Sequence, residues 1–246
     1  IEVAIAELDT ILILRHLQSL TREDEIILQE YGEKLKVTWY TQSGGLETVK
    51  PLNEAVSLNY SLPDHDIKMS FLPADFTQVN FELNQKMINL ALQLLDLNKE
   101  DEVIDLFCGL GNFTLPISRY VKTVVGIEGD SGLVERAKEN ASQNGVSNAS
   151  FYKADLFEDV SGFEWFRGKK YSKALIDPAR SGAIEIVELL PRLDVERLVY
   201  VSCNPSTLAR DTARLIDLGF TLSSAGVMDM FPQTAHVESI ALFLKK

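Results

Sequence analysis

The sequence predicts an α/β protein. From about residue 80 onward it reads as a parallel sheet wound by helices on both faces, closed by an antiparallel edge, and it is preceded by a small α+β unit. Three observations predict this. Short apolar strand patterns alternate with helical patterns after residue 80, the rhythm of a doubly wound sheet. The last two strand patterns follow one another with no helix between them. Before residue 80, strand patterns gather around one capped helix. The expected division is a central subdomain over 1–79, itself possible as part of a larger one, and a second domain over 80–246.

The elements follow in order. "TILILRHLQ" (10–18), "LKVTWYTQ" (35–42), "AVSLNYSLP" (55–63) and "IKMSFLP" (67–73) alternate apolar and polar residues and are rich in β-branched and aromatic side chains, so each is predicted as a strand. Thr21 followed by "REDEIILQEYGEK" predicts a capped helix with acids in its first turn. "NQKMINLALQLLDL" (84–97) has helical spacing. "EVIDLF" (102–107) predicts a strand, Gly109 to Tyr120 a loop running into a helix, "TVVGIE" (123–128) a strand and 131–145 a helix. Strands are predicted over 149–154, 173–177 and 197–202, and helices over about 182–191 and 205–217. "TLSSAGVMDM" (221–230) and "HVESIALFL" (236–244) form the closing strand pair.

Composition narrows the class. The chain has 246 residues, 46% of them apolar and 24% charged, ordinary values for a globular protein with a sizeable core. No apolar run approaches the ~18 residues that predict a membrane span, and no partner membrane is expected. Two cysteines make neither a disulfide framework nor, by themselves, an iron–sulfur site, and a reducing cytoplasmic location is expected. No metal site is expected either. The net charge of −12 repels phosphate backbones on average, so nucleic-acid binding calls for a local basic patch or a further domain.

Chemistry-bearing residues gather where strands stop. In "DLFCGLGNFT" (105–114), Gly109 and Gly111 follow a strand and precede a helix, which allows a tight turn and close approach of a ligand. Glu128 closes the next strand, where an acid can accept both hydroxyls of a ribose. That pair indicates an adenosine-containing cofactor without choosing between NAD and S-adenosylmethionine. Cys108, beside the glycines, reads as a packing residue. "LIDPARSG" (175–182) places Asp177 at a strand end, with Arg180 either a phosphate contact or a solvated side chain. "VSCNPS" (201–206) places Cys203 at the next such end, ahead of Pro205 at a helix start. A thiol near a helix N-terminus is expected to have a lowered pKa, which suits a nucleophile, although a free cysteine is often only buried. In "DMFPQTAHVES" (229–239), Glu238 lies in an apolar stretch where desolvation would raise its pKa toward that of a general base. His236 reads more readily as structural. Phe76 and Gln78 in "FLPADFTQVNFELNQ" (71–85) offer a ring and an amide at the boundary between the two parts.

Taken together and in this order, "FLPADFTQVN", "DLFCGLGNFT", "VVGIEGD", "LIDPARSGA", "LVYVSCNPSTLARD" and "MDMFPQTAHVES" resemble the RNA (uracil-5-)-methyltransferase family, most closely its RumA-type branch, which methylates large-subunit ribosomal RNA. The tRNA branch usually has "NPPR" where this chain has "DPAR". The match covers residues 70–246, with weaker similarity before it.

The resemblance implies a Rossmann-like class I S-adenosylmethionine-dependent methyltransferase domain that transfers a methyl group to C5 of a uridine in 23S ribosomal RNA through a covalent cysteine–C6 adduct. By position in the motifs, Cys203 resembles the nucleophile, Glu238 the base that takes the C5 proton, and Asp177 an acid facing cofactor and uracil. Gln78, Phe107, Gly109, Gly111, Asn112, Glu128, Asp155 and Asp177 match positions that bind or border S-adenosylmethionine. Phe76, Gln78 and Asp177 match positions beside the target base. Related enzymes carry an N-terminal TRAM domain, and RumA-type ones a four-cysteine iron–sulfur site. Neither is found in this sequence. With Ile1 first and an acidic charge, the chain is expected to be the monomeric catalytic part of a longer protein whose TRAM-like domain assists RNA binding. The alternatives are a tRNA uracil-5 methyltransferase, a nucleotide-cofactor oxidoreductase, and a non-catalytic RNA-binding module that keeps the methyltransferase fold.

Overall fold

The computed structural model describes residues 1–245, which divide into two compact units. The first comprises Ile1–Pro63 and Lys68–Val79. Its four-stranded sheet has the order β1-β2-β3-β4: β1 (Glu2–Ile5), β2 (Thr10–Arg15), β3 (Thr38–Gln42) and β4 (Lys50–Pro51). β2 and β3 run parallel, joined by helix α1 (Arg22–Leu35). Thr21 caps α1 through a reciprocal box: the Asp24 N–H donates to Thr21 Oγ1 at 3.2 Å, and the Thr21 N–H donates to Asp24 Oδ2 at 2.8 Å. Two orphan backbone donors are thereby satisfied. The strand expected from residue 35 begins instead at Thr38. Leu35 closes the helix and Lys36 takes the left-handed conformation, φ 56°, that ends it. β5 (Leu58–Leu62) and β6 (Ile67–Phe71) form a separate two-stranded sheet. The sequence reading has no counterpart to β1 and β4, which are too short to show a period.

The second unit comprises Asp64–Ile67 and the chain from Asn80. Asn80 caps helix α2 (Phe81–Leu95), which buries Met87, Ile88, Ala91, Leu92 and Leu95 along one face. Seven strands follow: β7 (Glu102–Leu106), β8 (Thr123–Glu128), β9 (Ala149–Lys153), β10 (Lys173–Ile176), β11 (Arg197–Ser202), β12 (Phe220–Met228) and β13 (Glu238–Lys245). Their order is β12-β13-β11-β10-β7-β8-β9. The five strands β9, β8, β7, β10 and β11 are parallel; β13 is antiparallel to β11, and β12 to β13. Helices α3 (Thr114–Ser118), α4 (Ser131–Gln143), α5 (Ile184–Val187) and α6 (Pro205–Asp217) make the remaining helical connections.

This order explains the apolar strand runs. β10 and β11 are buried on both faces, and Ile104, Leu106, Ala174, Ile176, Leu198 and Tyr200 join one core cluster. At up to about 1.5–3 kcal/mol for each large apolar side chain fully buried, this layer is the main source of stability. The order also reverses at β7: the chain first builds outward through β8 and β9, then returns to add β10 and β11 on the other side. Such a reversal leaves a crevice at the carboxyl ends of the strands. One expected element is broken. The helix predicted over 182–191 stops after Val187, and a 3₁₀ turn takes over at Leu190–Leu193, because Pro191 has no N–H to continue the ladder.

Candidate active site

The crevice is built from strand ends. Phe107 follows β7 and has φ 66°, a left-handed conformation that a bulky side chain rarely adopts, and Gly109 follows with φ 54°. A Cβ at Gly109 would meet nothing within 4 Å, so its backbone stands open. Glu128, the last residue of β8, binds this loop. Its Oε2 accepts the Gly109 N–H at 3.0 Å, and its Oε1 accepts the Asp130 N–H at 2.9 Å. Asn112 exchanges two 3.0 Å hydrogen bonds with buried Asn84 of α2, which anchors the loop from below. Gly111 packs toward Leu115 at φ 96°, where only glycine is unstrained. Asp155 lies exposed beyond β9 and accepts the Phe157 N–H in its own turn.

Asp177 follows β10. The register Ile176↔Leu106 sets it beside Phe107, and its N–H donates to Leu106 O at 3.2 Å. Cys203 follows β11, the next parallel strand. Across the antiparallel β11–β13 pair, Ser202 faces Ser239, so Cys203 and Glu238 occupy adjoining positions at the end of that ladder. The thiol, the two carboxyls and the glycine loop therefore share one end of the sheet. Phe76 and Gln78 belong to the first unit, where the Phe76 ring is 73% exposed and Gln78 Oε1 is buried with no hydrogen-bond partner among the described residues.

The electrostatics follow from this crowding. Burial raises the Asp177 carboxyl to about 8, with Glu238 and Asp105 adding like-charge repulsion. Burial alone raises Glu238 to about 7. The Cys203 thiol is raised, not lowered as its place near a helix start predicts. Partial burial and the neighbouring Glu238 and Asp177 outweigh a local backbone hydrogen bond and the Arg180 guanidinium. Asn204, not Cys203, is the residue that caps α6, accepting the Ser206 N–H at 3.1 Å. Arg180 lies 2.9 Å from His236 Nδ1, with Phe231 edge-on to that ring. Cys108 is buried and its thiol is pushed well above the ordinary range.

Sequence reasoning overlooks Asp105. It is wholly buried in β7, accepts a 2.5 Å hydrogen bond from the Thr114 hydroxyl on Oδ2, and leaves Oδ1 with no partner among the described residues. Burial and nearby Glu128 raise its carboxyl to about 7, against the pull of Thr114. The available signal is an acid in the middle of the apolar run "VIDLF", where a buried strand has no use for one.

A stability prediction follows. Unfolded, Asp177 and Glu238 lose their protons near pH 4; folded, they hold them to about 8 and about 7. Between those limits the unfolded chain binds fewer protons, so the two groups make stability fall as pH rises. Asp177→Asn and Glu238→Gln should each melt a few degrees above wild type at pH 8, with the gain shrinking toward pH 5. Melting curves across that range decide it, and a gain that grows toward acid contradicts the assignment.

Comparison with known proteins places this geometry in a family. Residues 8–246 match the model of the tRNA (uracil-5-)-methyltransferase family. The chain is 67% identical over 245 residues to a 23S rRNA (uracil(1939)-C(5))-methyltransferase of Vesicomyosocius okutanii, which aligns with 100% of this chain and 56% of that protein. It is 52% identical over 238 residues to the like-named protein of Stenotrophomonas maltophilia, covering 96% of this chain and 53% of that one. The chain thus spans about half the length of the relatives it matches. Among solved structures, the Pyrococcus abyssi tRNA (uracil-54, C5)-methyltransferase in complex with S-adenosyl-L-homocysteine superposes with a TM-score of 0.73 at 22% identity, over 96% of this chain and 56% of that one. M. jannaschii TYW2 in complex with AdoMet does so with a TM-score of 0.60 at 17% identity, over 85% and 94%. These likenesses identify the sheet as the Rossmann-like methyltransferase fold, and the family match is decisive for descent: the chain belongs to the tRNA (uracil-5-)-methyltransferase family.

Proposed function

We propose that this chain is the catalytic part of an enzyme that methylates C5 of a uridine in 23S ribosomal RNA. The observation that carries the reading is the adjoining placement of Cys203, just past β11, and Glu238, at the start of β13, with Asp177 one strand away. Names of the 67% and 52% identical relatives favour ribosomal over transfer RNA.

The chemistry explains why a thiol stands where a strand stops. C5 of uracil is a weak nucleophile. Addition of the Cys203 thiolate to C6 makes C5 enolate-like. Bound S-adenosylmethionine supplies an electrophilic methyl group for that carbon. Glu238, ionised above about pH 7, then takes the C5 proton, and the electrons of the C–H bond form the C5–C6 double bond as the thiolate leaves. Asp177, holding its proton to about pH 8, can donate a hydrogen bond to a uracil carbonyl. The base must be taken out of its stack to reach this crevice, and the exposed Phe76 ring offers a stacking face for an RNA base.

The residues fit the cofactor. The open backbone at Gly109 admits a close ligand, Glu128 retains lone pairs for ribose hydroxyls, and the orphaned Asp105 Oδ1 calls for a donor such as an ammonium. Phe107, Gly111, Asn112 and Asp155 border the same loops. Glu128→Ala should weaken S-adenosylmethionine binding by roughly 1–3 kcal/mol; unchanged affinity in titration calorimetry would remove Glu128 from the site. The full-length protein, given unmodified 23S ribosomal RNA and S-adenosylmethionine, should produce 5-methyluridine. Methylation of transfer RNA in its place would select the other branch, and binding without transfer would select the non-catalytic reading. A TRAM-like domain elsewhere in the full-length protein is proposed to supply RNA affinity, with the catalytic unit acting as a monomer in the cytoplasm.

A further inference from the structure

The turn that carries Asp177 away from the sheet, residues 178–183, has no regular structure, yet side chains of the β11–α6 segment bind its backbone at three successive points. Asn204 Nδ2 donates to Arg180 O at 3.0 Å, Arg210 Nη2 donates to Ser181 O at 2.9 Å, and the Ala183 N–H donates to Asp211 Oδ2 at 2.8 Å. Asp211 is wholly buried. It also accepts the Tyr200 hydroxyl at 2.6 Å and the Arg210 Nε–H at 2.8 Å, so its charge is compensated on every side. Gly182 sits under this clamp at φ 79°. A Cβ there would lie 2.6 Å from Arg210 Nη2 and 2.7 Å from Asp211 Oδ2.

We propose that Asp211 and Arg210 are positioning residues that tie the Asp177 turn to the segment carrying Cys203, and so set the thiol against the acid. The inference rests on the proposed reading of Cys203 as nucleophile. Sheet pairing aligns β10 with β11 only as far as Ile176 and Tyr200; beyond that point the side-chain clamp fixes the geometry. Asp211 lies eight positions after Cys203, so thiol and clamp ride on one strand–helix unit. This gives the "STLARD" half of the motif a task that the nucleophile alone leaves unexplained.

The test uses full-length protein with Asp211→Asn and Arg210→Met, the second variant covering failure of the first to fold. Methyl transfer to ribosomal RNA should fall about 100-fold in kcat, with KM for RNA within about threefold. A second readout needs no RNA: the pH dependence of Cys203 alkylation by iodoacetamide, followed on its peptide by mass spectrometry. The groups facing the thiol are Asp177 at the end of β10, Glu238 on β13 and Arg180 in the turn. Asp177 stays tied by its N–H to Leu106 O, but releasing the turn frees its carboxyl to draw away from the thiol and admits water, which together outweigh the loss of Arg180, so the alkylation midpoint should drop by roughly half a unit or more. Unchanged midpoints in folded variants overturn the proposal, as does activity lost only in step with the folded fraction. A shifted midpoint in a protein whose wild type methylates no uridine upholds the clamp and sinks the functional reading.

Discussion

Cys203→Ala should abolish both methyl transfer and covalent attachment to RNA. The variant leaves the glycine loop, Glu128 and Asp177 in place, so cofactor and substrate binding should survive. What it loses, on the proposed reading, is the group that turns C5 from an unreactive carbon into a nucleophile. Loss of a covalent nucleophile reduces turnover by at least about 10⁴-fold. The half-buried Cys203 has no thiol substitute, because Cys108 is buried and its pKa is pushed far up. Full-length variant incubated with ribosomal RNA and S-adenosylmethionine should give no slow-migrating RNA–protein band on a denaturing gel. A band, or 5-methyluridine above background, would mean that another residue attacks C6.

Glu238→Gln should separate the two halves of the reaction. Gln cannot take the C5 proton, but nothing in the attack on C6 depends on that carboxylate. Removing Glu238 also removes a group that raises the thiol pKa, so attack should be no slower. The product is then a methylated RNA still joined to Cys203, because the thiolate cannot depart until the proton does. Turnover should fall by about 10²–10⁴-fold, while a stable adduct accumulates toward one per protein. Mass spectrometry of the linked peptide should find the methyl group on the attached uridine. In the wild type, turnover should rise with pH through about 7 as Glu238 ionises. Wild-type turnover by Glu238→Gln, or an adduct without methyl, would assign the proton to a different base.

The fold class is legible in the sequence because parallel strands buried on both faces leave apolar runs such as "VIDLF" and "RLVYVS", and each is followed by turn chemistry. The closing antiparallel pair is legible from the missing helix between its strands. Less is legible where the signal is short or non-local. β1 and β4 span four and two residues, too few for a period to emerge. Pro191 breaks a helix whose apolar spacing alone argues for continuity. In the candidate site, motif reading can set Cys203 at a strand end and Glu238 in the apolar closing hairpin, but only the Ser202↔Ser239 register makes them neighbours. The sign of the thiol shift depends on that juxtaposition as well. A helix start favours a thiolate, and partial burial, joined by Glu238 and Asp177 from neighbouring strand ends, disfavours it more. Asp105 escapes notice because an acid within an apolar run resembles an ordinary polar interruption until its burial is seen.

The crowding of Asp105, Glu128, Asp177 and Glu238 at one end of the sheet also turns the crevice into a proton reservoir. With carboxyls near 7, 8 and 7, Asp105, Asp177 and Glu238 between them still hold protons at neutral pH. On the proposed reading, a cationic cofactor held by these loops would favour their ionised forms, so its capture would release protons to solvent and tighten as the medium becomes more alkaline. After methyl transfer the by-product would carry a neutral thioether where the cofactor carried a sulfonium. With only the ammonium left as counter-ion, protons would return to the carboxyls, and the spent cofactor would be held less firmly than the fresh one. On that reading, discrimination between cofactor and by-product would be written into the acidity of the strand ends, with no moving part required.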